Sequence, residues 1–262
     1  MGRSTNDLSA GCAESCIFLV GLALASRTWN AIPTVVCQAS ATILPTLKCS
    51  GFQLLPFLEP PNIVWDDTEQ VRKHYYPRVE SVIRSELKGC RAYVFDHLVR
   101  DGSVKASMNR ALSQALDRSM PLPSAHTDYT AAGARARYAK EFSKEPGNFA
   151  IVQAWQPLRG PVRDSPLALL DASSVRPEDA METELRYNDW TGESHTLHHN
   201  PDHKWWYTSQ MNTDEGYIFF GSNPDANTKL CGTFHTAISD PTAPDDAPAR
   251  HSIDTRAFVF WD

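Results

Sequence analysis

Apolar positions change their spacing partway along the chain, and that change predicts where helices give way to strands. From Trp65 to Gly89 the spacing is helical. Asp66 followed by Glu69 has the form of a capping box for a short helix. Pro77 then opens a second helix that places Val79, Val82, Ile83 and Leu87 on one face before Gly89 stops it. "RAYVFDHLVR" alternates as a half-buried strand does, and Asp96 and His97 within it read as structural. Thr130 caps a third predicted helix, with Ala134, Tyr138 and Phe142 at i, i+4 and i+8 and "EPG" as its end.

Beyond that point the chain reads as β. "NFAIVQAW", "PLALLD", "SHTLHH", "KWWYTSQ", "GYIFFG", "GTFHTAI" and "RAFVFW" are short β-rich runs divided by Gly, Pro, Asn and Asp clusters, with one helical interruption expected near "RPEDAMETELRY". Short strands after a helical portion imply a mainly β fold with flanking helices, a sandwich or jelly roll. The first fifty residues differ: they have few charges, four of the six cysteines and no sustained period. We therefore expect residues 1–50 to be a divergent N-terminal arm and residues 51–262 a single domain.

Composition narrows the function classes. A chain of 262 residues with 42% hydrophobic residues can bury one large core or two small ones. The formal charge of -6, with Lys and Arg scattered, gives no basic stripe for a phosphate backbone, which argues against nucleic acid as a partner. The six cysteines form no CxxC pair, so reduced thiols are the economical reading. "CIFLVGLALA" is too short to span a bilayer, and the acidic residues before it make a poor signal-peptide start. A cytoplasmic protein without a membrane span is the expectation.

Candidate chemistry centres on "SAHTDYT". His126 and Asp128 are two apart, so on extended backbone their side chains share a face and can share an ion. Two histidines and one carboxylate on one face of an octahedron make a non-haem Fe(II) site with three open positions. His235 in "GTFHTAI" is the best second histidine. Nine histidines and 31 carboxylates make about one such triplet expected by chance, so a further element is needed. Arg250 and Ser252 supply one: an Arg-x-Ser can grip a far carboxylate through a guanidinium fork and a hydroxyl, with Arg256 close behind. Against this stands the plainer reading of the arginines as solvated loop cations.

The blocks "HTDYT", "AWQPLRGPVRDSPLALLDASSV", "DHKWWYTSQMNTDE" and "FHTAISDPTAPDDAPARHSIDTRAFVF" resemble the fungal and bacterial group of AsaB-type hydroxylase/desaturases, which includes gibberellin desaturase and the cephem methoxylase subunit. The resemblance runs from about Gly51 to the C-terminus. It implies a double-stranded β-helix (jelly roll, cupin-like) core and Fe(II)/2-oxoglutarate-dependent oxidation of a small secondary metabolite. It places the metal ligands on His126, Asp128 and His235, and the cosubstrate on Arg250, Ser252 or Arg256, with the spacing favouring Arg250. Dioxygen and an apolar natural product would be the other reactants.

Two departures stand out. Gln156 follows Trp155 where the group carries arginine, and His251 replaces a glutamate beside Arg250. They keep open a redox-neutral cyclase, isomerase or dehydratase on the same scaffold, without catalytic iron. Tyr129, Gln156, Trp206 and Tyr207 are the candidate substrate-pocket residues, the aromatic ones also suiting ordinary sheet packing. His195, His198, His199 and His203 form the densest histidine cluster, yet strand alternation splits their directions and argues against a second metal site.

Overall fold

The computed structural model describes residues 45–103, 120–143, 147–186, 191–226, 231–240 and 242–261, together with the backbone of 19–20, 35–37 and 118–119. Thirteen strands among these residues form two facing sheets. The larger sheet has the order β3 (Phe52–Pro56), β11 (Glu215–Ser222), β6 (Phe149–Pro157), β13 (His251–Trp261), β4 (Cys90–Asp101), β5 (Arg118–Ser119). The smaller has the order β1 (Leu19–Val20), β2 (Val35–Cys37), β10 (Trp205–Trp206), β7 (Leu167–Leu170), β12 (His235–Ala237). A hairpin of β8 (Ala180–Arg186) and β9 (Thr191–Leu197) continues the smaller sheet through His126, which bridges Thr196 on one side and His235 on the other. This is the jelly-roll core that the sequence implies.

Side-chain alternation assigns each residue of β6 to one layer. Val152 and Ala154 face out, where helices α2 (Thr68–His74) and α3 (Tyr76–Glu86) cover the large sheet with Val71, Tyr75, Val79 and Ile83. Phe149, Ile151 and Trp155 face in. Both faces are therefore buried, which is why β6 reads as a near-continuous apolar run rather than an alternating one. Each fully buried Val or Ile of this layer contributes about 1.5–3 kcal/mol.

The helices form largely where the spacing places them, with local shifts. Asp67 rather than Asp66 caps α2, accepting from the amides of Glu69 and Gln70. Helix α4 (Ala131–Glu141) is capped by Thr130, whose hydroxyl accepts from the Gly133 amide. It ends before "EPG": Phe142 is already extended, though its ring still packs on Tyr138 at 4.8 Å. Gly133 lets α4 lie directly on β9, since a Cβ there would stand 2.5 Å from the Glu193 carbonyl oxygen.

The helical interruption expected near "RPEDAMETELRY" is replaced by a single 3-10 turn, Pro177–Asp179, followed by strand β8. Met, Glu and Leu favour helix locally, but the full-length register of β8 against β9 satisfies the same backbone groups between strands. Residues 1–44 lie outside the described part except for the two short strands, and β2 pairs in parallel with β10. Residues 45–50 join the domain directly: a short helix α1 (Leu47–Ser50) buries Leu47 against the large sheet's outer core. No described helix is long and apolar enough to cross a membrane.

Candidate metal centre

Backbone pairing brings the three expected ligands together. His126 and His235 exchange both amide-to-carbonyl hydrogen bonds, at 3.2 and 2.9 Å, so they are direct cross-strand partners with side chains on one face. Their rings sit 4.5 Å apart between centroids. Asp128 follows two residues after His126 and returns to the same face, while Thr127 between them turns outward to His195. One donor atom from each of His126, Asp128 and His235 lies within 4.8 Å of the others.

Hydrogen bonding fixes which atoms face the centre. Nδ1 of His126 lies 2.8 Å from the Ser124 carbonyl, and Nδ1 of His235 lies 3.1 Å from that of Thr233. A carbonyl only accepts, so each Nδ1 carries the proton and each Nε2 presents a lone pair. Those Nε2 atoms stand 3.6 and 3.7 Å from the same oxygen, Asp128 Oδ1. The other carboxylate oxygen is already engaged, accepting from Arg256 Nε at 2.5 Å and from Gln153 Nε2 at 3.0 Å. Two neutral imidazole nitrogens and one carboxylate oxygen suit a divalent iron with positions left open.

The surroundings favour an ionised Asp128 and a neutral His235. Burial penalises the Asp128 carboxylate, but Arg256, His235 and His126 outweigh it and hold the group well below the usual carboxylate range. Burial, reinforced by His126, pushes His235 down to about 3 and keeps it neutral. Arg256 reaches three carboxylates, with Nη1 on Asp96 at 3.2 Å and Nη2 on Asp254 at 3.3 Å besides Asp128. Against burial, those charges raise it well above the ordinary arginine value.

Arg250 and Ser252 differ from Arg256. Arg250 is 3% exposed and donates Nη1 to the Ser165 carbonyl at 2.5 Å, while its Nε has no partner in the protein. Its guanidinium lies 5.6 Å from the centroid of the Trp155 ring. Ser252, two residues along, is fully buried and its hydroxyl is likewise unpartnered. Two unpartnered buried donors cost about 1–3 kcal/mol each unless an acceptor meets them, and a carboxylate is such an acceptor.

The proposed pocket residues separate. Trp206 enters the interior cluster with Trp155, Tyr217 and Phe219, and the indole N–H of both tryptophans is buried without a partner. Tyr129 joins Phe95, Tyr138, Ile151 and Phe258 at one end of the barrel interior. Tyr207 packs with Trp205 on the outer side of the small sheet. Gln156 is not brought to the centre: it faces the helical layer, where its amide meets Tyr75 Oη at 2.8 Å and the carbonyls of Leu58 and Thr213 at 2.9 and 2.6 Å.

The four clustered histidines also disperse. His195 is buried beside Thr127, His198 and His199 are exposed, and His203 pairs with Asp179 at 3.1 Å. Among the described residues only His126, Asp128 and His235 group as metal ligands. Sequence reasoning missed Gln153 and Asp254, both buried at the Asp128 site. Their signal was present: a lone glutamine in "NFAIVQAW", and polar side chains at every second position through Ser252, Asp254 and Arg256.

Known proteins match this chain in sequence and in fold. The family model described as Oxidoreductase/YMDC permease-like domain matches residues 34–260. Aspirochlorine biosynthesis protein N of Aspergillus oryzae is 33% identical over 139 residues, which is 50% of this chain and 58% of that protein. Alpha-ketoglutarate-dependent dioxygenase phiK of a fungal species is 30% identical across 82% of this chain and 79% of its own length. Among solved structures, a tryptophan-to-phenylalanine variant of the iron and alpha-ketoglutarate-dependent endoperoxidase NvfI superposes with a TM-score of 0.71 at 25% identity, covering 82% of this chain and 78% of that one.

Proposed function

Since the chain belongs to the Oxidoreductase/YMDC permease-like domain family, we propose that it is an Fe(II)/2-oxoglutarate-dependent dioxygenase that hydroxylates or desaturates a small secondary metabolite. The observation that carries this reading is the convergence of two Nδ1-anchored histidines on a single free oxygen of Asp128. A 30% identical relative named as an alpha-ketoglutarate-dependent dioxygenase supports it. Residues 51–262, with the short helix of residues 47–50 packed onto them, form the catalytic domain in this reading, and a cytoplasmic setting supplies the cosubstrate from central metabolism.

Roles follow from the geometry. His126, His235 and Asp128 Oδ1 hold the iron, and Arg256 holds Asp128 rather than the cosubstrate, because each of its three nitrogens already faces a carboxylate. Arg250 and Ser252 direct unpartnered donors at the distal carboxylate of 2-oxoglutarate. Bound iron with 2-oxoglutarate and dioxygen supplies oxidative decarboxylation to succinate and carbon dioxide, coupled to hydrogen removal from a substrate C–H bond. Trp155, Trp206, Tyr217 and Phe219 give the interior an aromatic lining, which suits a largely apolar substrate.

The test is anaerobic titration of the purified protein with Fe(II) and 2-oxoglutarate, read by the visible charge-transfer absorption that chelation of the 2-oxo acid produces. The wild type is expected to develop the band and His126→Ala to lack it. A folded wild-type protein that develops no band, or turnover that survives chelation of metal, would overturn the reading in favour of redox-neutral chemistry.

A further inference from the structure

Gln153 is a fully buried side chain in the middle of an apolar strand, flanked on the same face by Ile151 and Trp155. Its amide nitrogen lies 3.0 Å from Asp128 Oδ2 and 3.3 and 3.4 Å from the two oxygens of Asp254. Its amide oxygen has no partner. Two carboxylates around one end fix the orientation of the amide, because the reverse would set oxygen against oxygen. An apolar side chain would fill this space without leaving a buried carbonyl unsatisfied, at about 1–3 kcal/mol. The residue is therefore placed for what its amide holds.

Arg256 completes the arrangement from the next strand. Asp254 and Arg256 lie on one face of β13, and Arg256 donates to both Asp254 and the same Asp128 oxygen that Gln153 engages. Asp128 Oδ2 thus receives two donors, whereas Oδ1 faces only the two histidine nitrogens. Gly221 on β11 gives the amide its room: a Cβ there would stand 2.9 Å from Gln153 Oε1 and 3.1 Å from Ile151 Cγ2.

We propose that Gln153, Asp254 and Arg256 are positioning residues that keep Asp128 a one-oxygen ligand, so that the carboxylate cannot turn to chelate the metal with both oxygens and close a position needed by the cosubstrate or dioxygen. The inference rests on the proposed iron site and adds the device that sets its open positions. Gln153 is the member whose removal isolates the effect, since Arg256 remains to balance the buried charge.

The experiment uses Co(II) alone as the probe, titrated into the metal-free full chain and followed by its visible d–d absorption, whose position and intensity report ligand number and geometry. Gln153→Leu is expected to change the band shape as Asp128 turns its second oxygen to the metal, and to change Co(II) affinity about 10- to 100-fold, the range typical of altered outer-shell partners of metal ligands. Gly221→Ala, which displaces the same amide without removing it, is expected to shift the spectrum in the same direction by less. Should Gln153→Leu fail to fold, Gly221→Ala decides by the same criteria. Affinity within twofold of wild type together with a superimposable spectrum would overturn the proposal. A folded wild type that takes up no Co(II) would instead overturn the iron site itself, and the two failures are thereby told apart.

Discussion

Acid should weaken the metal-free protein through His235 in a window well above the carboxylates. The imidazole is 5% exposed, and burial with the neighbouring His126 lowers its pKa from an ordinary 6.5 to about 3. Between those values the unfolded chain binds a proton at this residue and the folded chain does not, so stability falls as pH falls. At about 1.4 kcal/mol per pH unit well inside the window, and less near its upper edge, the loss from pH 7 to pH 5 is about 2 kcal/mol. Asp128 works in the same direction, since its folded pKa is depressed, but its loss begins only as pH drops through the ordinary value of 3.8. The assay is urea denaturation at pH 7, 6 and 5 in the presence of a chelator, comparing wild type with His235→Asn, which keeps a donor for the Thr233 carbonyl. The wild type should lose about 2 kcal/mol more than the variant over this range. Parallel pH profiles would refute the assignment of a buried, neutral His235.

Three further outcomes follow from the same geometry. Arg250→Lys keeps the charge but loses the Nε donor and the guanidinium that lies over the Trp155 ring. The KM for 2-oxoglutarate should rise by about 10- to 100-fold, as expected for one lost hydrogen bond to a charged group, with little change in kcat; succinate formation measures both. Gln156→Leu orphans Tyr75 and two carbonyls in the helical layer and should lower stability by about 2 kcal/mol while leaving kcat/KM of the folded fraction unchanged, which thermal melts and steady-state rates check together. Thr130→Ala removes the cap of α4 and a side-chain contact with Glu193, and should cost about 1–2 kcal/mol in chemical denaturation.

Much of this architecture was legible because β-rich runs and helix-start signals are local features of the sequence. The runs around Phe219, Trp155 and Phe258 marked strands by their β-rich composition, and Pro77 and Thr130 marked helix starts that depend on local groups alone. What failed was decided at a distance. The segment from Arg176 to Arg186 has good helix formers, and only its pairing with residues 191–197 makes it a strand. Asp66 and Asp67 are indistinguishable as caps until the chain direction at Val64 is known, where the Asp67 amide bonds the Val64 carbonyl.

The site shows the same division. His126 and Asp128 were readable together because two residues of extended backbone suffice to align them, whereas the partner histidine required a bridge between segments more than a hundred residues apart. Gln156 drew attention as a departure from a family pattern, yet parity with Trp155 already set it on the opposite face. Gln153 shares that inward parity and lies where a polar residue is hardest to justify by packing. An unexplained polar side chain on the inward face of a buried strand was therefore a better pointer to the metal centre than a substituted charge on the outward one. The reason is physical: burial makes an amide costly unless something specific needs its donor, and here two carboxylates do.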